Sequence, residues 1–405
     1  MKQRNRSLIV LYLYWMTLLI WQNIRSVGNR SGTDVAIKLL LVFALSICFL
    51  MESRVIGIRP FLVALIFGAL TAAPFFVSGT FSVSILIYYL FPVLLFVLTY
   101  VVGGQFQVSK QQLMFFLRCI VVSVTYIVVY GLLFCWEQYE QAISAKYGYG
   151  YELTSFLTSN YEYGLYLAFG IMSAILLLEL DSERRKVHIF YWLCVVAFAI
   201  TLVLTFSRTS IIAFLVMLSV YLMSYRKSRV SRRILMLCII GFLLLVALPP
   251  LQNYFIKVVF KDNATSDRPE LIVAGLRIFS NYSVYEKWFG SLSANAMVKN
   301  LTEHSNLHNG YLQMLLTNGF KGFIFLAGLI LEMLHTNRRA LKRRSVEEKR
   351  LIKTFQGFLM AGCVFMFTTT STLMYSSIDS YFLTMFVILV PKYVRNAIRC
   401  DMFGE

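Results

Sequence analysis

HIFYWLCVVAFAITLVLTFSRTSIIAFLVMLSVYLMSY, residues 188–225, sets two apolar runs on either side of one permanent charge, Arg208. Each run is close to the ~20 residues that a helix needs to cross ~30 Å of hydrocarbon. A guanidinium in the centre of a longer membrane helix would cost ~2.5–3.5 kcal/mol. Between two helices it can sit at the membrane boundary instead. The stretch therefore predicts a hairpin of two spans, His188–Phe206 and Thr209–Tyr225, with Arg208 in a two-residue turn.

Outward from this hairpin, the 405-residue chain repeats the pattern. Further apolar windows cover Leu8–Ile24, Val35–Met51, Pro60–Val77, Phe81–Val102, Gln112–Trp136, Tyr161–Leu180, Ile234–Leu251, Gly319–His335, Thr354–Met374 and Asp379–Val394, which makes about twelve transmembrane helices. Only 14% of residues are charged and 58% are hydrophobic, whereas a soluble domain carries about 25% charged residues. The runs are continuous rather than alternating segments of ~10 residues, which excludes a membrane β-barrel. The expected fold class is all-α: one polytopic integral membrane domain over residues 1–405. A long loop, 252–318, with amphipathic helices separates the ninth and tenth spans.

The opening MKQRNR resembles a signal-peptide start, but its apolar run ends in WQNIR without a small-residue cleavage site, so an uncleaved first helix is expected. The seven cysteines lie in or beside apolar runs without CxxC spacing and suggest neither a disulfide framework nor a zinc site. A net charge of +18 needs no nucleic acid partner. Lys and Arg held on the cytoplasmic side account for it. With the N-terminus inside, the inner segments carry about 25 Lys/Arg and the outer ones roughly 10, the blocks YRKSRVSRR and NRRALKRRSVEEKR being decisive. Both termini are then cytoplasmic. The chain has no Walker A or GxGxxG loop.

Two outer segments are too long to be turns, 137–160 and 252–318, and long loops carry function more often than structure. Of the four histidines, His304 and His308 fall on the outer side. An imidazole, with an ordinary pKa of about 6.5, can act as a general base near neutrality. It can equally be an interfacial side chain bonded to backbone. Glu303, His304 and His308 lack the HExxH order and a third ligand of suitable spacing, so no metal site is expected. Arg208 reads either as a snorkelling end-cap or as a planar fork for phosphate oxygens at headgroup depth.

Arg268, just before Pro269, and Arg277 lie on the amphipathic stretch RPELIVAGLRIFSNY, a helix start with Pro at its first position. Asn160 reads as a helix cap and Trp288 as an interface anchor. The tyrosines at 147, 149, 151, 161 and 163 form either an interfacial belt or platforms for sugar rings.

Four segments in this order carry a resemblance: SFLTSNYEYG, FSRTS, DRPELIVAGLRIF followed by WFGSLSAN, and HNGYLQMLLTNGFKG. The set is similar to the O-antigen polymerase and ligase superfamily of membrane glycosyltransferases, over about Thr154 to Phe325. Asn318 stands where that pattern usually has an acidic residue. The resemblance implies a mostly helical, GT-C-like fold in a bacterial cytoplasmic membrane. It also implies an extracytoplasmic active site using undecaprenyl-diphosphate-linked oligosaccharides as donor and acceptor. His308 matches the catalytic histidine, Arg268 the loop arginine and Arg208 the arginine of the Ser-Arg turn. Asn160, Arg277, Trp288, Asn309 and Tyr311 are expected to contact substrate.

The chemistry expected from these residues is attack by a sugar hydroxyl on the anomeric carbon of the donor, with His308 removing the proton. Arg208 and Arg268 would stabilise the departing diphosphate, so neither metal nor cofactor is expected. Polymerase is the preferred reading, with inversion at the anomeric carbon. A ligase acting on a lipid or protein acceptor and a lipid-linked glycan flippase are the alternatives. Membrane lipids surround the enzyme, and a chain-length regulator and a flippase are conceivable protein partners.

Overall fold

The computed structural model describes residues 110–144, 153–157, 159–181, 185–260, 268–291, 293–302, 307–341 and 346–369, together with Leu62 and Ile66. Apart from those two residues, the first four expected spans, the last one and His304 therefore lie outside the described residues. Among the described residues every regular element is a helix. Five of them are long and apolar enough to cross a membrane.

The helices belong to two compact units. In the first, α1 (Lys110–Phe134) and α2 (Trp136–Ile143) are followed by α3 (Asn160–Leu180), α4 (Arg185–Leu204), α5 (Arg208–Ser224), α6 (Arg229–Ala247) and α7 (Pro249–Phe260). The centre of this unit is α3, whose residues are buried almost throughout from Asn160 to Leu178. An apolar helix without a polar face is covered on all sides, and here α1, α4 and α5 cover it. Its glycines permit the close approach: a Cβ at Gly164 would lie 2.6 Å from Ser210 Cβ, and one at Gly170 would lie 2.9 Å from Val124. By contrast, α6 exposes Leu235, Met236, Leu237, Ile239, Ile240 and Phe242.

Polar ties lock the ends of this unit. Arg118 pairs with Asp181 at 2.6 Å and donates to the Tyr191 hydroxyl at 3.2 Å, joining α1, the end of α3 and α4. Below α5, Glu179 accepts from the Tyr221 hydroxyl at 2.6 Å and from Ser228 Oγ at 2.5 Å. Tyr163 is fully buried and its hydroxyl meets that of Tyr139 at 3.0 Å. At this position the expected belt or sugar platform gives way to a core residue, whose hydroxyl is met by Tyr139 of α2.

The second unit contains α8 (Arg268–Asn281), α9 (Val284–Phe289), α10 (Ala294–Thr302), α11 (Gly310–Leu341) and α12 (Val346–Thr368). The stretch expected to be a long loop with amphipathic helices is largely helical among its described residues. One face of α8 supplies Leu271 and Ile278, and Tyr282 follows just after it, to a small core with Ala294, Val298, Leu307, Leu312 and Leu316. Ser283 and Glu286 form a reciprocal capping box that starts α9.

The sequence predicts the tenth span over Gly319–His335. In the structure α11 begins nine residues earlier and is broken at Gly319, with φ 65° and ψ −168°. Neither the part after Gly319 nor α5, a shorter apolar helix, is among the five span-length helices.

Candidate active site

The first unit brings Asn160 and Arg208 into one neighbourhood. Arg208 is the opening residue of α5 rather than part of a turn, because Ser207 caps the helix. The cap expected at Asn160 falls one residue earlier, on Ser159, whose side chain accepts from the Glu162 N–H at 3.3 Å. With the capping position filled by Ser159, the Asn160 side chain turns outward to a neighbouring helix. Its Nδ2 donates to the Thr205 carbonyl at 3.1 Å, where α4 ends. Ser210 Oγ donates to the Tyr161 carbonyl at 2.8 Å and lies 2.8 Å from Ser207 Oγ. These contacts tie the N-termini of α3 and α5 side by side. Both helix dipoles place positive potential there, beside the guanidinium of Arg208. Glu162, in the first turn of α3, adds a carboxylate that is 1% exposed. Sequence reading passes over it, although Ser159-x-x-Glu162 has the spacing of a capping box.

In the second unit, His308 lies just ahead of α11 with φ 47° and is half-buried. Leu307 before it is buried in the small core. Asn309 after it caps α11, its Oδ1 accepting from the Leu312 N–H at 3.0 Å. Fixed on both sides, the histidine turn is a rigid mount. Tyr311 is anchored as well, its hydroxyl donating to the Cys363 carbonyl of α12 at 3.0 Å.

The break at Gly319 removes a turn of the α11 ladder, and the orphaned carbonyl of Leu316 is taken up from outside. Ser291 N–H donates to it at 3.0 Å and the Tyr282 hydroxyl at 3.3 Å. Burial pushes the Tyr282 hydroxyl up to about 12, so it remains a donor at neutral pH. Gly290, with φ 83°, crosses the same point: a Cβ there would lie 2.2 Å from the Thr317 carbonyl oxygen. A Cβ at Gly319 would meet the Trp288 carbonyl at 2.5 Å. The WFG and TNG segments thus form one backbone crossing that only glycines permit. Trp288 is half-exposed beside it, edge-on to Phe320.

The remaining candidate residues of the second unit lie elsewhere on its helices. Arg277 is exposed, on the α8 face away from the small core. Arg268 opens α8, and its side chain lies outside the described residues. Gln313, one turn beyond Asn309, is 1% exposed and donates from Nε2 to Asn295 Oδ1 at 2.6 Å. Its Oε1 is buried and has no hydrogen-bond donor among the described residues, a situation that costs about 1–3 kcal/mol. The sequence does not single it out, because nothing in YLQML tells a buried amide from an exposed one.

Three non-glycine residues among those described hold a positive φ: Ser155, Phe206 and His308. Such backbone is costly for bulky residues and gathers at functional sites. Here the three lie in SFLTSN, FSRTS and HNGYL, the segments that sequence alone singles out.

Residues 193–327 match the family described as O-antigen ligase. That match supports a likeness of this segment to the O-antigen polymerase and ligase superfamily. Members of the superfamily are membrane enzymes of glycosyl transfer. The match takes in Arg208, Arg268, Arg277, Trp288, His308, Asn309 and Tyr311, whereas Asn160 precedes it. No curated protein matches the chain.

Proposed function

We propose that this membrane protein is a polysaccharide polymerase of the superfamily. It transfers a growing glycan from undecaprenyl diphosphate to a lipid-linked repeat unit, as in O-antigen, capsule or exopolysaccharide synthesis. The reaction runs on the outer face of the bacterial cytoplasmic membrane, on a GT-C-like fold of about twelve spans with both termini inside. The observation that supports this reading is His308, held in left-handed backbone between a buried leucine and a helix cap, within the matched segment.

A sugar hydroxyl is a weak nucleophile until it loses its proton. His308 accepts that proton as the oxygen attacks the anomeric carbon, a contribution of typically 10²–10⁴-fold. The bond to the diphosphate breaks in the same displacement, so the anomeric configuration inverts. Negative charge grows on the leaving diphosphate, and Arg208 and Arg268 are the groups suited to stabilise it without a metal. Asn160, Arg277, Trp288, Asn309 and Tyr311 position donor and acceptor.

The test is purified full-length protein with synthetic undecaprenyl-diphosphate-linked repeat units. The wild type extends them. His308→Asn, which keeps a residue that tolerates left-handed backbone, folds normally and loses about 100-fold or more in rate. Normal extension by that variant would move the base elsewhere. A ligase would instead pass finished polymer to a lipid or protein acceptor, and a deletion strain would accumulate lipid-linked polymer. A flippase would move the repeat units across the membrane without lengthening them.

A further inference from the structure

We propose that the amide pair Asn295–Gln313 is a binding subsite for a hydroxyl group of the glycan, beside the His308 turn. The inference rests on the glycosyl-transfer reading above and names a substrate contact within it.

Asn309, Gln313 and Thr317 recur every fourth residue along α11, so they form one polar row on the helix. All three are buried. Asn309 spends its oxygen on the helix cap, and Thr317 Oγ1 donates back to the Gln313 carbonyl at 2.9 Å. The outer members of the row are therefore bonded within their own helix. Gln313 reaches instead to α10, giving one N–H to Asn295 Oδ1 at 2.6 Å and leaving Oε1 buried without a donor among the described residues. An apolar side chain of the same size would fill this place without an orphaned oxygen, and its flanking residues Leu312 and Met314 are apolar. Retaining an acceptor there makes physical sense if a donor arrives with the ligand.

The chemistry selects the donor. A neutral carbonyl oxygen attracts an O–H or N–H and repels phosphate oxygens, so this subsite is unsuited to the diphosphate. Sugar hydroxyls both donate and accept, and an amide pair answers both requirements. The first turn of α11 sets Gln313 about 6 Å along the helix axis from Asn309, the neighbour of His308, which is the length of one sugar ring. Gln313 Oε1 then accepts from a hydroxyl on the sugar whose neighbouring oxygen loses its proton to His308.

The experiment compares wild type and Gln313→Met, full-length in lipid nanodiscs, with undecaprenyl-diphosphate-linked repeat units as the probe. Methionine keeps the volume and removes the orphaned oxygen. The expected result is thermal stability equal to or above wild type, KM for the repeat unit raised roughly tenfold, and kcat within about threefold. Stabilisation by the same probe is read in parallel without turnover, and the variant should lose most of the shift seen for wild type. Unchanged KM and unchanged probe stabilisation would overturn the subsite. A fall in stability, or failure to fold, would mark the pair as a tether between α10 and α11 and overturn it equally. If wild type binds the probe but forms no polymer, the polymerase reading has failed while the subsite stands on the binding measurement.

Discussion

Replacing Gly290 by alanine puts a methyl group into the backbone crossing beneath the α11 break. The cost has two parts. At φ 83° and ψ 179° the backbone is in a region that is essentially glycine's own, and holding alanine there costs about 1–3 kcal/mol. The new Cβ would also stand 2.2 Å from the Thr317 carbonyl oxygen, well inside the 3.0 Å below which real Cβ contacts essentially do not occur. Thr317 O is main chain and cannot swing aside, so the two segments must separate. Such overpacking costs ~1–3 kcal/mol, and the separation strains the 3.0 Å bond from Ser291 N–H to Leu316 O.

Together the loss is roughly 2–6 kcal/mol, a large share of the ~5–15 kcal/mol that keeps a domain folded. Thermal unfolding of the detergent-purified protein, followed by tryptophan fluorescence, reads it through Trp288 beside the crossing. Gly328→Ala, on α11, is the control: a Cβ there meets nothing within 4 Å beyond the helix's own backbone, and alanine there gains up to about 1 kcal/mol. If Gly290→Ala melts with wild type, or if both variants fall equally, the crossing does not carry the stability assigned to it.

Other outcomes follow from the same geometry. Gly164→Ala sets a methyl group 2.6 Å from Ser210, whose hydroxyl is held by Tyr161; a loss of ~1–3 kcal/mol is expected in thermal unfolding, together with weaker activity from the displaced Arg208. Tyr221→Phe removes one of two hydroxyl donors to Glu179 and should cost ~1.5–3 kcal/mol, whereas Glu179→Gln with Tyr221 intact should cost less. Repeat-unit extension should persist in excess EDTA; abolition by chelator with rescue by added metal would replace the arginines with an ion.

Much of the fold was legible because apolar runs announce spans whatever they pack against. Asn160–Leu180, Arg185–Leu204 and Arg208–Ser224 fall within a few residues of the expected windows. Val346 starts α12 eight residues before Thr354, because EEKRLIK is polar yet helical and a hydrophobic window cannot see it. The break at Gly319 escaped for a different reason: its positive φ is bound up with the crossing against Trp288 and Gly290, distant in sequence. Candidate residues stand out in the sequence where polarity interrupts hydrocarbon, as at Arg208 and His308. The burial of Glu162, Tyr163 and Gln313 was not legible, since it is decided by which helix folds over them.

The all-round burial of α3 has a consequence for how the chain is made. Two of its three covering helices, α4 and α5, emerge from the ribosome after it. Until Ser210 arrives to meet Gly164, one flank of α3 has only lipid or the insertion machinery for company, with Asn160 and Glu162 at its tip. Nascent chains halted before Thr209 should therefore linger at the translocation pore and be degraded, whereas chains that include Ser224 should be released into the bilayer.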